Sequence, residues 1–210
     1  VGLDKKFDIA NVSIQEEETA YRGFFQIKKF LLKHALFRGG QSKAIQRELF
    51  CRGESVGVLL YDPEADRVGL AQQFRIGCLD NEWGPWVWEV IAGVKNKSEN
   101  SEQVAIREVR EESGIAINPD DLVPICNYYS SPGGSDERLQ LYVAIVALKN
   151  TENIFGLAEE NEDILFKTFD YPLVINAILS GEINNAATVI ALQWLQLNRQ
   201  MLREKFCHTQ

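Results

Sequence analysis

The segment from Gly93 to Ile115 constrains this chain more than any other. Trp86-Val87-Trp88-Glu89-Val90-Ile91-Ala92 reads as a strand that ends at Gly93, and a helix fits Ser101 to Ser113. Asn100 or Ser101 is placed to cap that helix, and Gly114 stands where a left-handed C-terminal residue is wanted. Ala105 and Val109 can pack on a sheet. On the neighbouring face Glu108, Glu111 and Glu112 stand at i, i+3 and i+4. Glu108 and Glu112 are then about 6 Å apart along the axis. Like charges at that spacing destabilise a helix, so something should compensate. A solvated acidic surface is the ordinary explanation for three such glutamates. The other is a hard divalent cation such as Mg²⁺, which takes carboxylate oxygens. Arg107, four residues before Glu111, can orient it from behind.

The rest of the composition narrows the class. The 210 residues carry 22 Lys+Arg against 30 Asp+Glu, a net charge of −8. With 45% apolar and 25% charged residues the chain has ordinary globular composition and enough length for a sizeable core. A net −8 argues against general nucleic-acid binding, which needs a basic footprint. No window is apolar enough for a membrane span, and Val1 to Lys6 lacks the apolar run of a secretory signal. Cys51, Cys78, Cys126 and Cys207 have no C-x-x-C spacing, which disfavours zinc. They are expected to be mostly buried thiols of a cytoplasmic protein.

Residues 12 to 50 read as a small β unit. Val12 to Tyr21 is strand-like but polar, Phe24 to Phe37 mixes β-formers with lysine, and Ser42 to Phe50 returns after the turn Arg38-Gly39-Gly40-Gln41. Such a hairpin sheet has little core of its own. Further strands are expected at Val56 to Tyr61, Val68 to Gln73, Leu122 to Tyr129 and Leu139 to Leu148. Helical stretches are expected near Leu173 to Ser180 and Ala186 to Lys205. Strands outnumber helices without alternating strictly, which favours an α+β fold with a mixed sheet.

The full spacing of the acidic segment is Gly93, five residues, Glu99, seven residues, Arg107-Glu108-Val109, one residue, Glu111-Glu112, one residue, Gly114-Ile115. It resembles the signature of the Nudix hydrolases at all nine fixed positions over 23 residues. Further segments resemble the bacterial ADP-ribose pyrophosphatase subfamily. They are Tyr21 to Phe25, Gln73 to Ile76, Ser130 to Gly134, Gly156 to Ile164 and Asn184 to Leu195. The likeness therefore spans nearly the whole chain.

The resemblance implies a Nudix α/β/α sandwich over residues 53–210, preceded by a small antiparallel β domain over 1–52 that is exchanged across a two-fold homodimer with shared active sites. It implies hydrolysis of ADP-ribose to AMP and ribose 5-phosphate with two or three Mg²⁺ or Mn²⁺ ions. The metal ligands it implies are the Ala92 carbonyl, Glu108, Glu112 and Glu162. Glu160 would be the general base, with Glu111 and Arg107 in supporting catalytic positions. Phe24 and Phe25 would stack on adenine. Arg47, Glu48, Arg52, Arg75, Val94, Ser131, Pro132, Gly133 and Glu137 would complete the substrate site. Another nucleotide sugar such as GDP-mannose is the alternative substrate, and a non-catalytic ADP-ribose sensor a remoter one. Neither nucleic acid nor membrane is expected as a partner.

Overall fold

The computed structural model describes residues 2–96, 98–149, 151–157, 159 and 161–207. The chain divides into two compact units, one of Val1–Gly53 with Tyr129–Arg138 and the other of Glu54–Tyr128 with Leu139–Gln210.

The smaller unit is built on an antiparallel sheet of β1 (Val12–Arg22), β2 (Gln26–His34) and β3 (Ile45–Cys51) in that order. The polar strand foreseen at the start is β1, and all of its residues but Val12 are exposed. The connection from β2 to β3 is wider than a tight hairpin, with an isolated bridge pairing Ala35 and Gln41 before the ladder begins at Ile45. The Ser131–Gly134 turn is tied to the end of β3, because Phe50 N–H donates to the Gly134 carbonyl at 2.8 Å.

The larger unit is a sandwich. Its sheet runs β10 (Glu152–Phe155), β11 (Ile164–Asp170), β5 (Arg67–Phe74), β4 (Glu54–Asp62), β9 (Arg138–Ile145), β8 (Leu122–Tyr129). Two short strands join it, β6 (Trp86–Glu89) on β5 and β7 (Ile91–Val94) on β4. β4 and β9 run parallel, since Arg138 N–H meets the Gly53 carbonyl and Val146 N–H the Tyr61 carbonyl, both at 3.0 Å. The other strand pairs with a given register are antiparallel, so the sheet is mixed.

Period-2 alternation divides the core between the two faces. Val56, Val58 and Leu60 of β4 pack with Val104, Ala105 and Val109 of α1 (Ser101–Ser113). Leu59 and Tyr61 pack on the opposite face with Val174 of α2 (Tyr171–Ser180) and Ala191, Leu192 and Leu195 of α3 (Ala186–Phe206). Ala105 and Val109 thus lie where helical spacing puts them. No helix is long and apolar enough to cross a membrane among the described residues.

Two expectations need correction, and two strands were missed. The strand foreseen over Trp86 to Ala92 is two strands, because the chain changes partner from β5 to β4 and Val90 belongs to neither ladder. β10 and β11 were not foreseen. The four cysteines are free and of intermediate exposure rather than buried. They sit at the end of β3, in the loop after β5, on the edge strand β8 and just past α3, where no core covers them completely.

Candidate active site

The acidic helix is fixed locally at both ends. The Asn100 side chain accepts from Gln103 N–H at 2.8 Å and the Gln103 side chain accepts from Asn100 N–H at 3.0 Å, a reciprocal capping box. At the other end Gly114 takes φ 69°, a conformation that favours glycine, and its N–H bonds the Arg110 carbonyl at 3.0 Å. Ile115 then packs, half-buried, against the core.

Gly93 lies within β7, directly against the Glu108 side chain. A Cβ at this position would overlap the Glu108 carboxyl group, so any residue but glycine would push that carboxylate away. Arg107 Nη1 lies 2.7 Å from Glu108 Oε1 and 3.1 Å from Glu111 Oε2, and its Nε lies 3.3 Å from Glu99 Oε1. One guanidinium therefore gathers three glutamates of the signature. Partial burial works against its charge, but Glu108 and Glu111 outweigh that and hold it more firmly protonated. Glu99 also accepts from Asn96 N–H at 3.2 Å, and that backbone bond, with Arg107, holds its carboxyl below the usual range.

Glu112 is different. It is 2% exposed, and its Oε2 has no hydrogen-bond partner among the described residues. Burial first, then Glu108, Glu89 and Glu162, push its carboxyl well above the ordinary value, while Arg75 offsets part of the effect. Burial likewise raises Glu108 despite Arg107. These are the expected consequences of packing carboxylates without a cation. Among the described residues no three His, Cys, Asp or Glu side chains converge closely enough to hold an ion as they stand. Hard oxygen donors, one of them buried and unpartnered, nevertheless match what a divalent cation takes.

Glu162 is held in its loop by reciprocal bonds. Leu157 N–H donates to its Oε2 and its own N–H donates to the Leu157 carbonyl, both at 3.2 Å. Glu160, the expected general base, lies outside the described residues. Ala92 pairs with Gly57 in the β7–β4 ladder, and Val94, at the end of β7, is 62% exposed.

Arg75 does not stand alone at the end of β5. Its Nε donates to Glu89 Oε1 at 2.7 Å, and its Nη2 lies 2.6 Å from the same oxygen. Glu89 was not singled out from the sequence. The signal available was a lone carboxylate inside the apolar run Trp86 to Ile91.

The remaining expected substrate residues fall in the smaller unit. Phe24 is 95% exposed and packs edge-on against Phe25 at 4.7 Å, and Phe25 packs edge-on against Phe50 at 5.1 Å. The Arg52 guanidinium lies 4.6 Å from the Phe25 ring centre and pairs with Glu137 at 2.9 Å. Glu137 also accepts from Ser130 Oγ at 2.7 Å. Ser131, Pro132 and Gly133 form the exposed turn that follows. Arg47 and Glu48 are exposed on β3, with Arg47 Nη1 bonded to the Gln46 carbonyl rather than to an acid. Phe24, Phe25, Arg52 and Glu137 are thus brought together, and Arg47 and Glu48 are not shown joining them.

Residues 52–186 match the NUDIX domain family. The chain belongs to the Nudix family. It is 40% identical over 203 residues to an ADP-ribose pyrophosphatase of Haemophilus influenzae, covering 95% of this chain and 93% of the relative. It is 39% identical over 204 residues to the ADP-ribose pyrophosphatase of Escherichia coli strain K12, covering 97% of each. A GDP-mannose pyrophosphatase of Escherichia coli O1:K1 is 31% identical over 159 residues, 74% of this chain and 80% of the relative. A crystal structure described as an ADP compounds hydrolase superposes with a TM-score of 0.70 at 19% identity, covering 97% of this chain and 99% of that one, and shares the fold. Within this Nudix chain every fixed position of the signature sits in the larger unit, on β7, α1 and the turns that flank them.

Proposed function

We propose that this Nudix enzyme hydrolyses the diphosphate of ADP-ribose, giving AMP and ribose 5-phosphate. The observation that carries the reading is the likeness over 95% and 97% of the chain to two ADP-ribose pyrophosphatases, at 40% and 39% identity. Glu108, Glu112, Glu162 and the Ala92 carbonyl would hold two or three divalent cations, Mg²⁺ or Mn²⁺. When bound, such ions neutralise charge on the diphosphate oxygens and lower the pKa of water. The buried, unpartnered Glu112 oxygen supports that assignment.

The chain's own groups do the rest. Arg107 orients Glu108 and Glu111 from behind, leaving Glu111 a supporting position. Glu160 takes the proton of the attacking water, an assignment that rests on the resemblance of its loop. Arg75 presents N–H donors to phosphate oxygens. Phe24 and Phe25 offer aromatic faces to adenine, and Arg52, with Glu137, meets the polar edges of the nucleotide. Arg47, Glu48, Val94, Ser131, Pro132 and Gly133 complete the substrate contacts. The reading includes a homodimer with shared active sites, an N-terminal β domain over 1–52, and a cytoplasmic location.

Product analysis tests it. Incubation with ADP-ribose and Mg²⁺ should give AMP and ribose 5-phosphate in equal amounts, while Glu160→Gln should lower kcat by about 100-fold or more and keep metal affinity. Near-normal turnover in that variant would remove Glu160 from the base role. The 31% identical GDP-mannose pyrophosphatase makes GDP-mannose the second substrate to try.

A further inference from the structure

Glu89 is a carboxylate in an otherwise apolar strand run, held by its side-chain partners, Arg75 and Gln73, and by bonds to the backbone on either side of it. Its own Oε1 receives Arg75 Nε at 2.7 Å, with Nη2 at 2.6 Å. On one side of it the Trp88 carbonyl accepts from Asn185 Nδ2 at 2.7 Å. On the other side Val90 N–H donates to Thr188 Oγ1 at 2.9 Å. The side-chain bonds occur here because the strand is leaving β5 for β4. Val90 is outside both ladders, and a buried backbone N–H must find a partner elsewhere. Thr188 is wholly buried, and Asn185 also caps α3 by accepting from Thr188 N–H at 3.2 Å. The N-terminus of α3 therefore holds the backbone immediately before and after Glu89.

Arg75 is the open end of this chain of contacts. Its side chain is 43% exposed, against 13% for Glu89. Two N–H groups on one carboxylate oxygen occupy one edge of the guanidinium and leave its remaining donors for an anion. An arginine on a long stem has many orientations, and the buried carboxylate selects one.

We infer that Glu89 is a positioning residue that presents Arg75 to the substrate's diphosphate, and that Asn185 and Thr188 set Glu89 in place. The identity of the anion rests on the ADP-ribose reading. The segment Asn184 to Leu195, which carries no catalytic group, thereby acquires a part in the site.

The test combines kinetics on ADP-ribose with Mg²⁺ and the Arg75 Nε–Hε NMR signal of the ¹⁵N-labelled, substrate-free protein. Glu89→Gln should lower kcat/KM by about 10- to 100-fold in the wild-type background and by less than about 2-fold in Arg75→Ala, because the two act as one unit. Thr188→Val, which keeps shape but loses the acceptor, should lower kcat/KM by about 5-fold, and Thr188→Ser should restore it. The Arg75 signal should exchange faster with solvent in Glu89→Gln and Thr188→Val than in wild type. Equal losses with and without Arg75, or an Arg75 signal unchanged in Glu89→Gln, would overturn the inference. If wild type leaves ADP-ribose intact, the substrate reading falls, and the Arg75 signal still decides whether Glu89 positions it.

Discussion

Glu112 carries the sharpest conflict between burial and charge in the candidate site. Its side chain is buried beside other carboxylates, so the metal-free native state binds a proton there more tightly than the unfolded chain does. The sign follows from linkage. A native carboxyl with a raised pKa contributes stability below the unfolded value and loses it as pH rises through the native value. The metal-free protein should therefore lose stability from this group between acid and neutral pH. Glu112→Gln should remove that loss and raise the metal-free Tm at pH 7, while hydrolysis falls by about 100-fold or more. Thermal melts from pH 4 to 8 check the first part; a lower Tm for the variant at pH 7 would show that Glu112 is not strained by its charge. Gly93→Ala tests the neighbouring contact. The added methyl meets the Glu108 carboxyl, so the variant should stay folded, lose about 1–3 kcal/mol in denaturant titration and lose most activity.

At the scale of elements, the turn between β4 and β5 shows how charge joins the sheet to α3. Asp66 takes φ 55°, accepts from Tyr61 Oη at 3.0 Å and Arg199 Nε at 2.7 Å, and lies 3.4 Å from Arg203 Nη1. Burial works against the Asp66 charge, but Arg199, Tyr61 and Arg203 outweigh it and hold the carboxyl below the usual range. Burial and Asp66 push Tyr61 up to about 12. A depressed carboxyl contributes stability above its unfolded pKa and loses it as pH falls through the native value. Asp66→Asn keeps a residue that tolerates positive φ but removes the charge and turns one of the two accepting oxygens into a donor facing Arg199. It should cost about 1–3 kcal/mol at pH 7 and less near pH 3, read from urea unfolding at the two pH values. The helix caps were legible because they are local, as Asn100 and Gly114 show. β11 was harder to read. Ile164, Phe166 and Thr168 alternate as a strand should, yet the ladder that makes them one pairs Leu165 with Gln72, far away in sequence. Glu89 was hidden for the same reason, since its contact with Arg75, just past β5, depends on β6 pairing with β5.

For the whole molecule, the proposed reading sets a net charge of −8 against an anionic substrate, and bound cations would reconcile the two. Glu108, Glu111, Glu112, Glu160 and Glu162, five of the 30 acidic residues, are assigned to one site. Chelation should therefore abolish both hydrolysis and substrate binding, because the metal-free site repels a diphosphate. Measurable ADP-ribose binding in EDTA by calorimetry would contradict this. The mixed-sheet architecture was readable from the order and patterning of strands and helices, and the acidic helix stood out by the resemblance of its full spacing to the Nudix signature. Assembly was not readable in that way, because self-association depends on surfaces that periodicity does not mark. Sedimentation should give a dimer, and a fully active monomer would refute shared active sites. Substrate choice is decided by one comparison, kcat/KM for ADP-ribose and GDP-mannose on the same preparation with saturating Mg²⁺. ADP-ribose is expected to be favoured by about 10-fold or more, a difference of roughly 1.4 kcal/mol in transition-state binding. Equal rates, or a preference for GDP-mannose, would contradict the assignment of this chain to ADP-ribose.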